Sequence, residues 1–552
     1  MVNIHKKYID EKFDGNGMIM DYSFRYPENF NFGYDVIDAI AEGEPNRRAI
    51  IWCNTKGEEH VFTYSDLKKY SDKTANMLLS LGVKKGDRVM LIMKRHYQFW
   101  FTIYALHKIG AIAIPATFLL MKHDIEYRVK AAGISCVICT GDGEVATHID
   151  EAMPECPTLK TRIMVNGERE GWLDFMTEME KASDVLLRQD TKANEPMLLY
   201  FTSGTNGSPK MALHPHTLAL GHLTTAKYWH NIDPEGIHMT ISDTGWAKSA
   251  WGKIYGQFFM EGCSFIYDFD KFSGKEILEH IEKYRITTLC CPPTMFRFML
   301  LEDVASYDLT SLKYCNIAGE ALSPDVFNKW YEATGVKLME GFGQTETTVI
   351  IANRFGMEPK PGSMGKPMPH YDVHIVDEDG EDRPRGKVGE IIIKTDKQVP
   401  IGLFSGYYLD EEKTREAWHD GMYHTGDTAW MDEDGYFWYV GRTDDVIKSS
   451  GYRIGPFEIE SVLAEHPAVL ECAVTGVPDE IRGFIVKATI VLRDGYEGSD
   501  ELVKELQIHV KTRTAPYKYP RMIEFVDSLP KTASGKIRRI EIRNRDMERF
   551  AK

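Results

Sequence analysis

The sequence predicts an α/β protein: a large N-terminal domain of parallel α/β sheets with a β-rich, barrel-like subdomain, followed by a small α+β C-terminal domain. Three observations predict it. Apolar strands alternate with amphipathic helices in units of about twenty-five residues from Phe62 onward. After Gly362 short alternating strands with turn residues between them take over. Past Arg442 a pair of helical patterns and a pair of strand patterns fill the rest of the 552 residues, more than one core usually organises.

Taken in order, Ser65 stands where it would cap a helix whose Leu67, Tyr70, Thr74, Met77, Leu78 and Leu81 recur every three or four positions before Gly82. VMLIM (89–93) reads as a strand, Tyr97 to Ile109 as a helix and AIAIP (111–115) as the next strand. A helix through Tyr127 to Ala132 and a strand around Val137 follow, and the alternation returns at 275–291 and 325–342. HYDVHIVDEDG, VGEIIIKT and YFWYVG make the β-rich segment. In the last unit PFEIESVLAEHP and DELVKELQIHVKTRT read as helices, VLECAVTGVP and FIVKATIVL as strands. The domain boundary is therefore expected between residues 442 and 443, giving units 1–442 and 443–552.

Charge and cysteine usage exclude several classes. The balance of 66 basic and 82 acidic residues, net −16, argues against nucleic acid as the main partner. The most apolar run, IYALHKIGAIAIPATFLLM, is broken by His107 and Lys108, so no membrane span is expected. MVNIHKKYIDEKFDG resembles no targeting segment, and nine cysteines fit free thiols in a reducing compartment, so the expected location is cytoplasmic. Cys136 and Cys139 form C-x-x-C, but on a strand residues i and i+3 face opposite ways, which disfavours a shared metal or disulfide. The adjacent Cys290 and Cys291 fail likewise. His214 and His216 lack companions at ligand spacing. From Lys511 to the end twelve basic residues face five acidic ones, which fits either an anionic ligand near the tail or a solvated terminal face.

Five stretches carry chemistry. In YFTSGTNGSPK (200–210) the spacing differs from the Walker phosphate loop, yet Thr202, Ser203 and Thr205 offer hydroxyls and Lys210 a charge suited to triphosphate. It follows an apolar strand and precedes a helical pattern from Thr217, so a strand–loop–helix anion site is expected. EGFGQTET (340–347) combines glycines with Thr345 and Glu346, the carboxylate that would meet a nucleotide-bound Mg²⁺. In YHTGD (423–427) Asp427 would accept hydrogen bonds from two ribose hydroxyls. GRTDDVIKSSGYRIG (441–455) and LPKTASGKIRR (529–539) complete the set.

With these motifs in this order the chain resembles the adenylate-forming superfamily of acyl-CoA synthetases, peptide-synthetase adenylation domains and beetle luciferases. Within it the chain is most similar to medium-chain acyl-CoA synthetases, through PIGLFSGYY (400–408), SSGYRIGPFEIE (449–460) and TAPYKYPR (514–521). The resemblance covers about residue 40 to the end and implies an ATP-dependent ligase. It would activate a medium-chain or branched carboxylic acid as acyl-AMP, release pyrophosphate and pass the acyl group to coenzyme A. Loading of a carrier-protein thiol instead of CoA, and a non-catalytic nucleotide regulator, remain the competing readings.

By matching motif to motif, the resemblance puts Thr202, Ser203, Gly204, Thr205, Asn206, Gly207, Ser208, Pro209 and Lys210 on the outer phosphates. Gly319, Glu320 and Ala321, with Glu340, Gly341, Phe342, Gly343 and Gln344, would line the adenine and acyl sites. Thr345 would hold the α-phosphate, Glu346 the Mg²⁺, and Asp427 with Arg442 the ribose. Lys536 would bridge the carboxylate and the α-phosphate as the catalytic cation, carried in by rotation of the C-terminal domain about Asp444. Ser450, Gly451 and Tyr452 would line the pantetheine tunnel, and Arg482, Tyr517, Lys518 and Tyr519 would meet the nucleotide of CoA. For the acyl group the resemblance suggests Trp246, Trp251, Gly319, Gly343 and Arg453. Gly343 stands where acetate-activating relatives carry tryptophan, which would leave room for a longer chain, and Lys248 is an unusual neighbour for an apolar site.

Overall fold

The computed structural model describes residues 1–202, 209–320, 322–449, 452–479, 482–531 and 537–550. Its first sheet has seven strands in the order Lys210–Pro215, Pro196–Thr202, Ile112–Pro115, Arg88–Ile92, Cys136–Cys139, Thr161–Met164 and Leu173–Asp174. All neighbours in it are parallel except the first pair. The second, nine-stranded sheet runs in parallel from Leu338–Gly343 through Tyr314–Ile317, Thr288–Cys290, Ile237–Thr240 and Cys263–Asp268 to Arg48–Asn54. Near-continuous burial of these strands explains their apolar sequences, since helices cover parallel sheets on both faces. Arg48–Asn54 precedes the alternation read from the sequence, yet it joins this second sheet beside Cys263–Asp268.

The helix Gln98–Ile109 is buried along its whole length. His107 and Lys108, which interrupt the apolar run, lie inside the core: Lys108 Nζ donates to Asp38 and Asp72, both at 2.7 Å, and to Ser71 at 3.0 Å. A buried ammonium needs such partners to offset its lost hydration. Cys136 and Cys139 enter two different apolar clusters on opposite faces of the first sheet, and all nine cysteines are free and buried. No helix among the described residues is long and apolar enough to cross a membrane.

Three expectations are corrected. The helix Tyr64–Ser80 is capped by Thr63 and not by Ser65. Thr63 Oγ1 accepts the Asp66 N–H at 3.1 Å, and Asp66 accepts the Thr63 N–H at 2.8 Å, a reciprocal capping box that places Ser65 inside the first turn. Between the loop and the helix expected from Thr217 lies a strand that the sequence does not reveal: Lys210–Pro215 pairs antiparallel with Pro196–Thr202, setting Thr202 opposite Lys210. Its outer edge bonds to Gly406 and Ser405, and the helix expected from Thr217 follows it at Leu218–Thr224. Among its described residues the C-terminal unit has three α-helices where the sequence suggested two: Pro456–Ala464, Asp500–Arg513 and Arg539–Phe550. The last is mostly charged and has no apolar stripe to reveal it; it is anchored by Asp546, fully buried and 2.6 Å from Lys487.

Between these regions Val373–Val376, Gly389–Lys394, Met422–Met431, Trp418–His419 and Phe437–Arg442 form an antiparallel five-stranded sheet. The final sheet takes Ile447–Ser449, Tyr452–Ile454, Val469–Asp479, Gly483–Leu492 and Met522–Phe525.

Buried imidazoles make the fold acid-sensitive. Burial pushes His214 and His216 down to about 4 and His230 to about 3, so all three stay neutral in the fold yet charge near pH 6.5 once unfolded. Stability is therefore complete above about pH 6.5 and falls toward pH 4, each histidine adding a slope of about 1.4 kcal/mol per pH unit. Urea midpoints should hold between about pH 8 and pH 7 and fall steadily from about pH 6.5 to pH 5; an unchanged midpoint over the lower range would contradict this account.

Candidate functional site

The site gathers at the carboxyl ends of the parallel strands, where open α/β sheets bind ligands. The strand Leu338–Gly343 carries two glycines on one face. A side chain at Gly341 would meet the Trp229 ring at 2.5 Å, and one at Gly343 would meet Thr348 O at 2.3 Å and the Trp251 ring at 2.6 Å. The two indoles themselves meet edge to face at 6.0 Å. The space that Gly343 vacates is thus filled by Trp251 and not left open, which revises the expected pocket floor. Overpacking at such a point costs about 1–3 kcal/mol.

Beyond this strand the backbone turns through Gln344–Thr347. Gln344 Nε2 donates to Asp427 Oδ2 at 2.5 Å and to the Thr425 carbonyl at 2.7 Å, while its Oε1 accepts the Tyr423 hydroxyl at 2.8 Å. Asp427 pairs across the antiparallel strands with Arg442, whose Nη1 lies 3.2 Å from Oδ2, and Oδ1 accepts the Tyr439 hydroxyl at 3.1 Å. Burial raises the Asp427 carboxyl, and Arg442 opposes that rise. Burial alone would lower the Arg442 guanidinium, but Asp427 holds it above its ordinary value.

Glu346 is buried, and burial raises its carboxyl; Oε1 accepts the Tyr407 hydroxyl at 2.8 Å. Lys210 Nζ lies 4.8 Å over the same Tyr407 ring, so the expected phosphate lysine and the expected metal-binding acid flank one tyrosine. His214 Nε2 donates to the Thr345 carbonyl at 2.9 Å, a tie between the hairpin and the Gln344–Thr347 turn that the sequence does not reveal. Tyr407 and Gln344 are the two organising residues that the motif reading undervalued. Tyr407 stands at the end of PIGLFSGYY, and only the fold brings it to Glu346. A Mg²⁺ fits this donor set: Glu346 offers one carboxylate, as nucleotide-bound Mg²⁺ commonly requires. Among the described residues no three His, Cys, Asp or Glu cluster to hold a metal without a nucleotide.

Gly319 has φ +96° and no atom within 4 Å of an added Cβ, so it is an exposed turn residue at the end of Tyr314–Ile317. Glu320 accepts the Thr294 hydroxyl at 2.6 Å. Glu340 is buried with one carboxyl oxygen unpartnered among the described residues, and burial pushes it up to about 8. Phe342 leans on Tyr439 at 6.2 Å, and Tyr439 meets Phe457 of the C-terminal unit at 6.2 Å. Lys248 is half-buried and donates to the Ala318 carbonyl at 2.6 Å. Trp246 is half-buried on the loop before it.

In the C-terminal unit the Tyr452 and Tyr517 rings stack at 4.0 Å, with Lys518 5.8 Å over Tyr517 and paired to Glu458. Arg482 is exposed next to Gly483, which pairs with Ser449 beside Tyr452. Tyr452, Tyr517 and Lys518 thus form one patch, with Arg482 just before the strand on the other side of Ser449, whereas Tyr519 packs toward the core with Arg521 on its ring. Asp444 contacts Arg543 from the last helix, which also donates to its carbonyl. Pro209 accepts the Tyr127 hydroxyl at 2.9 Å. Ser203, Gly204, Thr205, Asn206, Gly207, Ser208, Ala321, Ser450, Gly451 and Lys536 lie outside the described residues, as does the side chain of Arg453.

The comparisons agree with this geometry. Residues 37–408 match the AMP-binding enzyme family and residues 458–536 the AMP-binding enzyme C-terminal domain. The mitochondrial acyl-coenzyme A synthetase ACSM3 of Pongo abelii is 44% identical over 539 residues, 96% of this chain and 92% of its own. The mitochondrial acyl-coenzyme A synthetase ACSM5 of Homo sapiens is 44% identical over 94% of this chain and 91% of its own. Among solved structures, the anthranilate CoA ligase AuaEII in complex with anthranoyl-AMP superposes with TM-score 0.87 at 28% identity, covering 96% of this chain and 99% of that one. An acyl-CoA synthetase of Brucella canis gives TM-score 0.72 at 32% identity, over 94% and 95%. The chain belongs to the AMP-binding enzyme family, among its acyl-CoA synthetases.

Proposed function

We propose that the protein joins a medium-chain or branched carboxylic acid to coenzyme A in two steps, through acyl-AMP with release of pyrophosphate. The observation that carries this reading is the convergence of Lys210, Tyr407 and Glu346 with Gln344, Asp427 and Arg442 around one strand end, directly beside the apolar wall of Trp251.

The first step brings an anion to a polyanion, so the obstacle is electrostatic, and fixed cations and donors reduce it. Lys210 would meet the outer phosphates, Thr345 the α-phosphate, and Glu346 a Mg²⁺ that would supply charge neutralisation when bound. Asp427 would accept a ribose hydroxyl directly: a carboxylate has about four lone-pair sites, and the three present donors leave one open. Arg442 favours the ionised form of that buried carboxyl, against the burial that raises it. Lys536 would supply a compact cation wanted only in the transition state. The acid would lie between Trp251 and the loop bearing Trp246.

The proposed boundary at 442/443 is supported by strand pairing: Phe437–Arg442 ends the five-stranded sheet, and Ile447–Ser449 begins the C-terminal one. Asp444, between them, is the proposed hinge. The patch of Tyr452, Tyr517 and Lys518, together with Arg482, is the proposed CoA surface, where aromatic faces suit adenine and cations suit phosphate. Nine free, buried thiols support a reducing compartment, cytoplasmic in this proposal; the mammalian relatives are named for a different one, the mitochondrion.

Two measurements test the assignments. Asp427→Ala should raise KM for ATP about 10- to 100-fold, the worth of a charge-assisted hydrogen bond, with KM for the acid nearly unchanged. An unchanged ATP KM would remove Asp427 from the ribose site. Lys536→Ala should lower acyl-AMP formation at least about 100-fold while sparing thioester formation from supplied acyl-AMP. Equal loss in both half-reactions would refute its role.

A further inference from the structure

Beneath the loop Ser242–Lys248 lies a lysine that no step above uses. Lys253 is 2% exposed on the π-helical turn Ala250–Ile254, and its Nζ donates to the Ser242 carbonyl at 2.6 Å. Short π-helical segments often mark functional sites. The same turn carries Trp251, whose ring fills the space at Gly343. Gly252 between them sits so close to Thr240 that an added Cβ would lie 2.0 Å from its hydroxyl. The backbone of Lys253 is itself fixed, because its carbonyl accepts the Trp100 indole N–H at 2.8 Å from the buried helix Gln98–Ile109. The anchored turn thus extends one ammonium across to the loop.

That loop is pinned at further points. The Thr244 hydroxyl donates to the Lys94 carbonyl, and the Asp243 carboxylate lies 3.4 Å from Arg95. Gly245 abuts the backbone of Ala116 and Thr117, with no space for a side chain. At its far end Lys248 is tied to Ala318. The Lys253 ammonium is costly: burial pushes it down to about 7, and Arg95 adds to the penalty while Asp243 and Asp268 oppose it. A methionine of similar length would occupy the same space without that cost, so the carbonyl contact is the specific thing the lysine provides.

We propose that Lys253 is a positioning residue for the acyl pocket: it fixes the separation between the Trp251 wall and the loop bearing Trp246, and thereby sets which acids are accepted. This rests on the reading of Trp246 and Trp251 as the acyl walls. Among the described residues the Lys253 ammonium meets Ser242, whereas Lys210 and Glu346 meet Tyr407.

The test is Lys253→Met in the full-length enzyme, with steady-state kinetics on butyrate, 2-methylbutyrate, octanoate and benzoate. The expected result is a rise of at least about tenfold in KM for the best acid and a flattened preference among the four, typical of a loosened apolar pocket. KM for ATP should stay within about twofold. A parallel rise in the ATP KM, or an unchanged preference among acids, would overturn the proposal. Should Lys253→Met fail to fold, Thr244→Val releases the same loop from Lys94 and carries the same readout, with the same two overturning results. Trp251→Leu separates the two levels. If it leaves acid preference unchanged, the acyl-wall reading itself falls; if it shifts preference while Lys253→Met does not, only the role of Lys253 falls.

Discussion

The site depends on how closely the strand Leu338–Gly343 approaches two tryptophans. Gly341 and Gly343 allow Trp229 and Trp251 to pack against bare backbone, and the indoles then brace one another edge to face. Each buries a large apolar area, so the strand end is held firmly. The Gln344–Thr347 turn that follows inherits this rigidity. It presents Gln344 to Asp427 on one side and Glu346 to Tyr407 on the other, while His214 fixes the Thr345 carbonyl. Residues from four separate stretches of sequence are thereby ordered around a single turn.

Electrostatics then gives the turn its chemistry. Asp427, Glu346 and Glu340 are all buried carboxyl groups whose affinity for protons is raised by lost hydration. Arg442 opposes that rise at Asp427, and Lys210 with Arg442 opposes it at Glu346, whereas Glu340 has only the Leu322 backbone against it. Buried carboxylates and fixed cations placed in advance reorganise little when charge moves in the transition state.

Much of this was legible in the sequence, for identifiable reasons. The parallel sheets were readable because strands buried on both faces are continuously apolar, as in VMLIM and AIAIP. Asp427, Arg442 and Glu346 were readable because their motifs are short and contiguous. The hairpin at Lys210–Pro215 was not, because its strand character comes from pairing with Pro196–Thr202 and with residues 405–408, contacts that local propensity cannot encode. The helix Arg539–Phe550 was hidden because a buried ion pair, not an apolar stripe, holds Asp546. Gly343 was legible as an absence of bulk, but the identity of what fills the space, Trp251, is tertiary information.

The central claim is that one site activates a carboxylic acid with ATP before any thiol takes part. Exchange of labelled pyrophosphate into ATP tests it most directly. With ATP, Mg²⁺ and a suitable acid, and with CoA absent, the account predicts rapid exchange that stops when the acid is withheld. Exchange that ignores the acid, or that requires CoA, would contradict it.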